Sequence, residues 1–369
     1  PPHYHPPPPH PHIHHRGIVG SVRCVQETGT IVRELVRQLL EYYQVGELTA
    51  LDNNESELFF LEQYFSSHRH ARFFLADIRD KAKLCRLMKE VDIVFHAAAF
   101  KHVILCERSP FEAVQTNILG VQNIILSALE NQVERVIFTS SDKAVNPTNV
   151  MGTSKLMGER LISAANINRR GDGPVFAATR FGNVMGSRGS VIPIFHQQIR
   201  QGGPVTLTHP EMSRFIMSIR EAVKLVIDSA LLACGGEVFV TKMNAVRIQD
   251  LAEVMIQELA RECGFRPEKI KIEIIGTKPG EKMYEELMNM EETRRSWELS
   301  KYFAILPAFI NSYQNVKYSY DDIVTKKITQ PYQSDQCKPL SKKELTAFLK
   351  DNRLLQKDGS YFEHPAERF

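Results

Sequence analysis

The sequence is poor in the residues that build disulfide or metal scaffolds. Its six cysteines, spread over 369 residues, make no Cys-x-x-Cys pair and no metal-like spacing. Free thiols in a reducing compartment are therefore expected, and no metal is. Long apolar runs are missing too. None reaches the roughly 18 residues that a bilayer span requires, so no membrane partner and a cytoplasmic location are expected. Charge of one sign is also lacking. The net charge is +3 with His neutral, too small and too dispersed to draw the chain to nucleic acid or to a membrane surface. The sequence contains no internal repeat and does not open on Met.

What is present is the composition of an ordinary globular protein, 43% hydrophobic and 24% charged. The length allows one large or two moderate domains with a real core. The exception is Pro1 to Arg16, rich in Pro and His, which cannot bury an apolar face and is expected to be extended or disordered. Its clustered imidazoles are only a weak metal signal, and an origin outside the natural protein is the expectation for it.

From about Ser21, strand and helix patterns alternate. Val22 to Val25, Leu48 to Leu51, Arg72 to Leu75, Asp92 to Phe95, Val133 to Phe138 and Val175 to Thr179 read as strands. Ile31 to Tyr43 carries Val32, Leu35, Val36, Leu39 and Leu40 at helical spacing. Lys81 to Lys89 and one long segment from Pro110 to Asn131 also read as helices. Strands separated by such helices predict an α/β fold with a doubly wound parallel Rossmann-type sheet. After Gly182 the rhythm changes. Helices are expected from Val191 to Gln201, capped by Ser190 and ended by Gly202-Gly203, from Ile248 to Cys263 and from Ser341 to Leu349. Strands are expected at Gly236 to Thr241 and Ile270 to Ile275. The expected organisation is a low-complexity segment over 1–16, a sheet domain over 17–182 with return segments near 216–242, a smaller discontinuous α/β domain over 183–310, and a tail over 311–369 with a final helix.

The chemistry gathers between Thr139 and Lys155. This stretch joins the apolar run Arg135 to Phe138 to the helical segment Leu156 to Ala165. It is thus a strand-to-helix turn at the carboxyl end of a strand, where open parallel sheets bind ligands. A carboxylic acid, Asp142, stands next to an amine, Lys143, after a run of hydroxyls, and Met151 and Lys155 share one face of the helix start. The order Ser-Asp-Lys-Ala-Val-x-Pro-x-Asn-x-Met-Gly-x-x-Lys, from Ser141 to Lys155, resembles UDP-N-acetylglucosamine 4,6-dehydratase-like enzymes of polysaccharide biosynthesis. These belong to the extended short-chain dehydrogenase/reductase superfamily. Met151 stands where the superfamily signature Tyr-x-x-x-Lys has its tyrosine, a replacement that this subgroup tolerates. The resemblance runs from about Leu35 to Leu349.

The resemblance implies an NAD cofactor on the 17–182 domain. A dinucleotide fold needs glycines in its first turn, for the tight bend, for backbone approach to the pyrophosphate and for helix packing on the strand. Of the three family positions, Gln26, Gly29 and Val32, only Gly29 is glycine. Gly29, Thr30 and Ile31 are the expected pyrophosphate residues, and bulk at Gln26 and Val32 is expected to weaken cofactor binding. Asp52 closes the second strand about 23 residues after Gly29, a placement suited to accepting from both ribose hydroxyls, with Asn53 beside it. A carboxylate repels a 2′-phosphate, so NAD is favoured over NADP. By resemblance, Asp77 and Ile78 contact adenine, and Ala97, Ala98 and Ala99 let backbone lie against the cofactor. Asn117 ties strands together, and Lys155 positions the ribose.

The implied reaction converts UDP-N-acetylglucosamine to a 4-keto-6-deoxy sugar nucleotide. Oxidising C4 to a ketone acidifies the C5 hydrogen. A base then removes that proton, an acid protonates the departing C6 hydroxyl, and the hydride returns to C6. By resemblance, Lys143 is the base, Asp142 the acid, and Ser141 holds the C4 hydroxyl; with Lys155 these are the expected catalytic residues. Asp142 and Lys143 must each be neutral when they act, and burial is expected to raise the Asp142 pKa and lower that of Lys143. On the substrate side, the resemblance points to Lys101 and His102, to Asn183, Arg188, Ser190 and Val191, and to Lys278 and Glu281 of the Lys278-Pro-Gly-Glu-Lys282 run. Arg188 offers a planar fork to the diphosphate, and the helix after Ser190 offers free backbone donors to an anion. Two other readings stand beside this one. A nucleotide-sugar 4-epimerase oxidises C4 without elimination and usually keeps the tyrosine. A non-catalytic cofactor-binding scaffold is supported solely by the altered glycine turn. A UDP-sugar is the expected partner and a homo-oligomer the expected assembly.

Overall fold

The computed structural model describes residues 21–25, 30–168, 173–186, 191–277, 281–309 and 316–356. The first half alternates β1 (Ser21–Val25), α1 (Thr30–Tyr42), β2 (Glu47–Asp52), α2 (Glu55–Tyr64), β3 (Ala71–Leu75), α3 (Lys81–Leu87) and β4 (Ile93–His96). Two short helices, α4 (Val103–Arg108) and α5 (Pro110–Val114), lead through a π-helical stretch, Gln115–Leu119, into α6 (Gly120–Glu130). Then come β5 (Arg135–Ser141), α7 (Val150–Ala165) and β6 (Val175–Phe181). The second half holds β7 (Asn183–Val184), α8 (Val191–Arg200), β8 (Val205–Leu207), β9 (Ser213–Met217), α9 (Ile219–Leu232), β10 (Val238–Thr241), β11 (Asn244–Arg247) and α10 (Ile248–Leu259). It continues through β12 (Ile272–Ile274), β13 (Glu286–Met288), α11 (Met290–Thr293), β14 (Ser296–Leu299), β15 (Tyr302–Ile305), β16 (Ile323–Thr325), β17 (Tyr332–Gln333) and α12 (Lys342–Asp351).

The main sheet runs in the order β16-β14-β15-β10-β6-β5-β4-β1-β2-β3. Pairing is parallel from β3 across to β10 and antiparallel among β10, β15, β14 and β16. Strand order reverses between β1 and β4, which opens a crevice at the carboxyl ends of those strands. The expected doubly wound sheet is thus present. β6 is apolar and buried nearly throughout because helices cover both of its faces. Two core clusters flank the sheet, one around Leu35, Leu39, Leu48 and Phe239, the other around Val94, Phe138, Ile162 and Phe176. A third cluster lies apart from the sheet and joins α8, α10 and α12 through Phe195, Leu251, Met255, Leu345 and Leu349. β14 and β15, within the 183–310 stretch expected to form the smaller domain, pair in the main sheet.

Three elements differ from the expectation. The long helix over Pro110 to Asn131 is interrupted by the π-helical stretch, which turns Asn117 inward, where it is 1% exposed. Gly120 follows at once, and a Cβ there would lie 2.4 Å from Ile78 Cδ1, so a larger residue would have to push the Ile78 side chain aside for α6 to close onto the segment after β3. Helix α2 has no amphipathic signal to read, burying only Leu58 and Leu61. Helix α9 begins at a capping box between Ser218 and Glu221, a pattern that the sequence carries openly. Pro1 to Arg16, Gln26 and Gly29 lie outside the described residues.

Val32, at a position where the family resemblance calls for glycine, is 2% exposed and sits in the core cluster with Leu35, Val36 and Leu48. A glycine there removes a packed side chain and adds helix-backbone entropy. Val32→Gly is therefore expected to cost about 3 kcal/mol, the sum of a large-to-small core change and a Gly-in-helix penalty. Urea unfolding of the variant beside the parent protein reads it.

Candidate active site

The turn after β5 is built so that a buried carboxylate and a partly exposed ammonium stand side by side. Ser141 ends the strand, and its Oγ accepts the Lys143 backbone N–H at 3.3 Å while donating to Asp142 Oδ1 at 2.6 Å. Lys143 Nζ lies 3.2 Å from each Asp142 carboxylate oxygen. Asp142 is 6% exposed and Lys143 is partly open. Behind the turn, α7 approaches as closely as backbone allows. A Cβ on Gly152 would lie 2.2 Å from the Lys143 carbonyl oxygen. Asn149 caps this helix by accepting from Gly152 N–H, and Glu107 of α4 accepts from Val150 N–H.

Met151 is 3% exposed and packs with Cys106 and Ala113, so this side chain fixes α7 against α4 and α5. Lys155 is buried as well, its Nζ donating to the Thr139 carbonyl at 3.0 Å and lying 4.8 Å from the Phe138 ring centroid. It braces β5 from below. Asn117 bonds both ways to the Phe100 backbone and donates to Ser154 Oγ at 2.9 Å. It therefore ties the loop after β4 to α7.

The neighbouring strand ends carry the residues expected to meet a dinucleotide. Asp52 is buried at the end of β2 and accepts from Asn54 N–H at 2.6 Å; Asn53 beside it is exposed. Ala97, Ala98 and Ala99 follow β4 with side chains too small to fill the crevice. These residues fit a dinucleotide: an acid at one strand end and a low wall at the next. Asp77 is paired with Arg79 at 2.6 Å, which holds its carboxyl below the usual range, while Ile78 is buried against α6. Thr30 and Ile31 open α1, and the side chain of Ile31 is half-buried against the core. Lys101 and His102 are exposed at the start of α4, and His102 makes no capping bond. Asn183 is half-buried on β7, and Val191 begins α8. Arg188, Ser190, Lys278 and Gly29 lie outside the described residues. Among the described residues, no group of His, Cys, Asp or Glu has the makings of a metal site.

The opposite wall comes from residues far along the chain. Lys282 Nζ donates to the Val145 carbonyl at 2.9 Å and to the Asn146 carbonyl at 3.0 Å. Asn146, with φ +44°, donates its side-chain amide to Glu286 at 2.6 Å. Glu285 is 5% exposed; its Oε2 accepts Phe215 N–H at 2.9 Å and its Oε1 lies 3.5 Å from Arg214 Nε. Glu281 reaches the same guanidinium at 3.8 Å.

This wall corrects one expectation. Burial works to lower the Lys143 pKa, but Asp142 and Glu285 together outweigh it and hold the ammonium above its usual value. Burial pushes the Glu285 carboxyl up to about 7, aided by the nearby Asp142 and opposed by Arg214 and Lys143. Burial likewise lowers Lys282. The roles of Glu285, Glu286 and Arg214 were not read from the sequence. The available signal was the Glu285-Glu286 doublet entering an apolar strand, since charges in such a place are paired when buried.

The family model for polysaccharide biosynthesis proteins matches residues 24–307. An uncharacterized membrane protein of Methanocaldococcus jannaschii is 48% identical over 324 residues, 88% of this chain and 93% of that one. Among the described residues, no helix is long and apolar enough to cross a membrane. A UDP-N-acetylglucosamine 4,6-dehydratase (inverting) of Campylobacter jejuni is 36% identical over 76% of this chain and 81% of its own. A UDP-glucose 4-epimerase of Rickettsia bellii is 41% identical over 75% of this chain and 79% of its own. The X-ray structure of Pen from Bacillus thuringiensis superposes with a TM-score of 0.82 at 40% identity, covering 91% of this chain and 98% of that one. DesIV of Streptomyces venezuelae, a dTDP-glucose 4,6-dehydratase solved with NAD, shares the fold at 20% identity with a TM-score of 0.61, covering 71% of this chain and 86% of that one.

Two substitutions read the geometry of the turn. Gly152→Ala forces a Cβ into the Lys143 carbonyl, and a displacement on that scale is expected to cost about 10²-fold in turnover. Met151→Ala empties a packed site and is expected to cost about 2–5 kcal/mol of stability, while Asp142→Asn, which takes the charge partner from a partly exposed Lys143, is expected to cost less stability and more turnover. Denaturant melts and product assays on all three variants separate the two effects.

Proposed function

The chain belongs to the polysaccharide biosynthesis protein family of nucleotide-sugar dehydratases and epimerases, and from that premise we propose that it removes water from UDP-N-acetylglucosamine to give a 4-keto-6-deoxy sugar nucleotide. The observation that carries the proposal is the Asp142–Lys143 pair, held at the carboxyl end of β5 beside Ser141. When bound, NAD supplies a hydride acceptor at C4 and a hydride donor at C6; Asp52, Asn53, the Asp77-Ile78 strand end, Ala97 to Ala99 and Lys155 would hold it. Once one proton has passed from Lys143 to Asp142, the Lys143 amine takes the C5 proton and Asp142 gives a proton to the departing C6 oxygen, which restores the ammonium and the carboxylate. Ser141 orients the C4 hydroxyl. Asn117 keeps the loop after β4 in register with α7, and Lys155 keeps β5 fixed against the same helix. Lys101, His102, Asn183, Val191 and Glu281 are the residues proposed to meet a UDP-sugar; Arg188, Ser190 and Lys278, also expected to, lie outside the described residues.

A 4-epimerase is the second reading, favoured by the identity to the Rickettsia enzyme. It has no use for an acid on the leaving-group side, and it ends with the water retained. The product mass separates the two readings. The assembly proposed is a homo-oligomer, because Ile104 and Leu105 on α4 and Phe111 on α5 are each exposed. Sedimentation is expected to show a species larger than one chain, and Phe111→Glu to dissociate it.

Incubated with UDP-N-acetylglucosamine and NAD, the protein is expected to release a product lighter by one water. Lys143→Ala is expected to lower that turnover by about 10²- to 10⁴-fold, the usual size of a lost general base. Exchange of the C5 proton with heavy water should fall with it. Exchange at the parental rate would exclude Lys143 as the base.

A further inference from the structure

We propose that Asn146 is a positioning residue for Asp142 and Lys143: Lys282 and Glu286 clasp it, hold its backbone left-handed, and so fix the far end of the turn that carries the pair. The inference rests on the dehydratase reading for the task of that pair.

The turn is a single short helical loop, Asp142–Ala144, closed where Val145 N–H donates to the Asp142 carbonyl at 3.0 Å. The sheet sets its near end, since Ser141 is the last residue of β5 and pairs in register with Phe181 of β6. Its far end is Asn146, which lies between the loop and α7, outside any strand or helix. The φ of Asn146 is +44°, a region uncommon for a residue with a side chain and best tolerated by Asn and Asp. Such a backbone persists only where its surroundings over-determine it, and residues of this kind gather at functional sites.

The surroundings here are specific. Lys282 Nζ donates to the Val145 carbonyl at 2.9 Å and to the Asn146 carbonyl at 3.0 Å. These carbonyls belong to the two peptide planes that flank the Asn146 Cα, so one ammonium restrains both torsions of that residue. The Asn146 side-chain amide donates to Glu286 Oε2 at 2.6 Å. The other oxygen of this buried carboxylate, Oε1, accepts from Gln333 Nε2 at 2.8 Å across the β13–β17 pair. Glu286 is thus anchored by a strand pair before it reaches the turn. Other charged groups around the clasp are Glu285 on the same segment and Asp142 and Lys143 on the turn.

The Asn146–Glu286 contact has a polarity, and that makes it testable. Asn146→Asp keeps the size of the side chain and its tolerance for a left-handed backbone, but sets one carboxylate against another. In Glu286→Gln the Asn146 amide can turn over and accept from the new amide, so this change is expected to cost less. Combined, the two restore both hydrogen bonds and the parental net charge. The new amide then donates to the new carboxylate and still accepts from Gln333.

Above neutral pH, Asn146→Asp is expected to lower kcat about 10- to 10²-fold with KM unchanged, the scale of a small misplacement of reacting groups. Adding Glu286→Gln is expected to recover most of that loss. Facing carboxylates raise one another's pKa and share a proton in acid. The loss in Asn146→Asp is therefore expected to shrink as the pH falls, and the double variant to follow the parental profile. Amide hydrogen exchange over residues 142–149, read by mass spectrometry, needs no turnover. It is expected to quicken in Asn146→Asp and to return to the parental rate in the double variant. A loss of kcat that Glu286→Gln does not relieve would overturn the clasp. Faster exchange with kcat unchanged would reduce Asn146 to a structural part and overturn its positioning role. Failure of the unsubstituted protein to convert UDP-N-acetylglucosamine would instead sink the dehydratase reading, while the exchange pattern still decides whether the clasp holds the turn.

Discussion

A carboxylate withdrawn from water at a strand end, beside an ammonium only partly open to it, is costly unless the surrounding structure supplies partners for both. That constraint shapes the molecule around Asp142 and Lys143. Ser141 spends its hydroxyl on the carboxylate and accepts from the next backbone N–H. Helix α7 comes so close that its third residue has to be Gly152. Residues from the second half of the chain then cover the turn with further charges, Lys282 on its carbonyls and Glu285 facing the pair. Each partner is itself paired, Glu285 with Arg214 and Glu286 with Asn146 and Gln333. The result is a network, and a network of this kind holds geometry better than any of its members alone.

Much of this was legible in the sequence because it is local. Strand-to-helix turns follow apolar runs, and the residues at the ends of β2, β4 and β5 are fixed by their distance from those runs. Asp52, the three alanines and the Ser141-Asp-Lys143 turn fall at the strand ends where the pattern puts them. Asn117 was legible as a tie, though its inward direction depends on a π-helical stretch that no periodicity announces. Glu285 and Arg214 were not legible as parts of the site. They lie far along the chain, Arg214 on β9 and Glu285 just before β13, and no local rule brings Phe215 N–H to Glu285 or Lys282 to Val145. Val32 shows the opposite case: a residue that reads as an intrusion in a glycine turn is a well-packed core side chain.

The same distance explains the corrected ionisation of Lys143. Judged by burial, the amine should lose its proton readily. Its own neighbour and one carboxylate brought in by tertiary structure reverse that tendency. Burial alone therefore gave the wrong sign, because a pKa depends on which charges are near as much as on how much water is lost.

The late arrival of the covering segment bears on how the protein is made. Lys282, Glu285 and Glu286 follow the turn by more than a hundred residues of chain, and Glu285 and Glu286 are themselves held by Ser334 and Gln333. A ribosome that has released β5 and α7 has exposed Asp142 and Lys143 without their cover. They stay hydrated until the strand at 332–333 has emerged and paired. Formation of the turn after β5 and its closure are thus separate events in the life of the chain, and the second waits on the strand at 332–333.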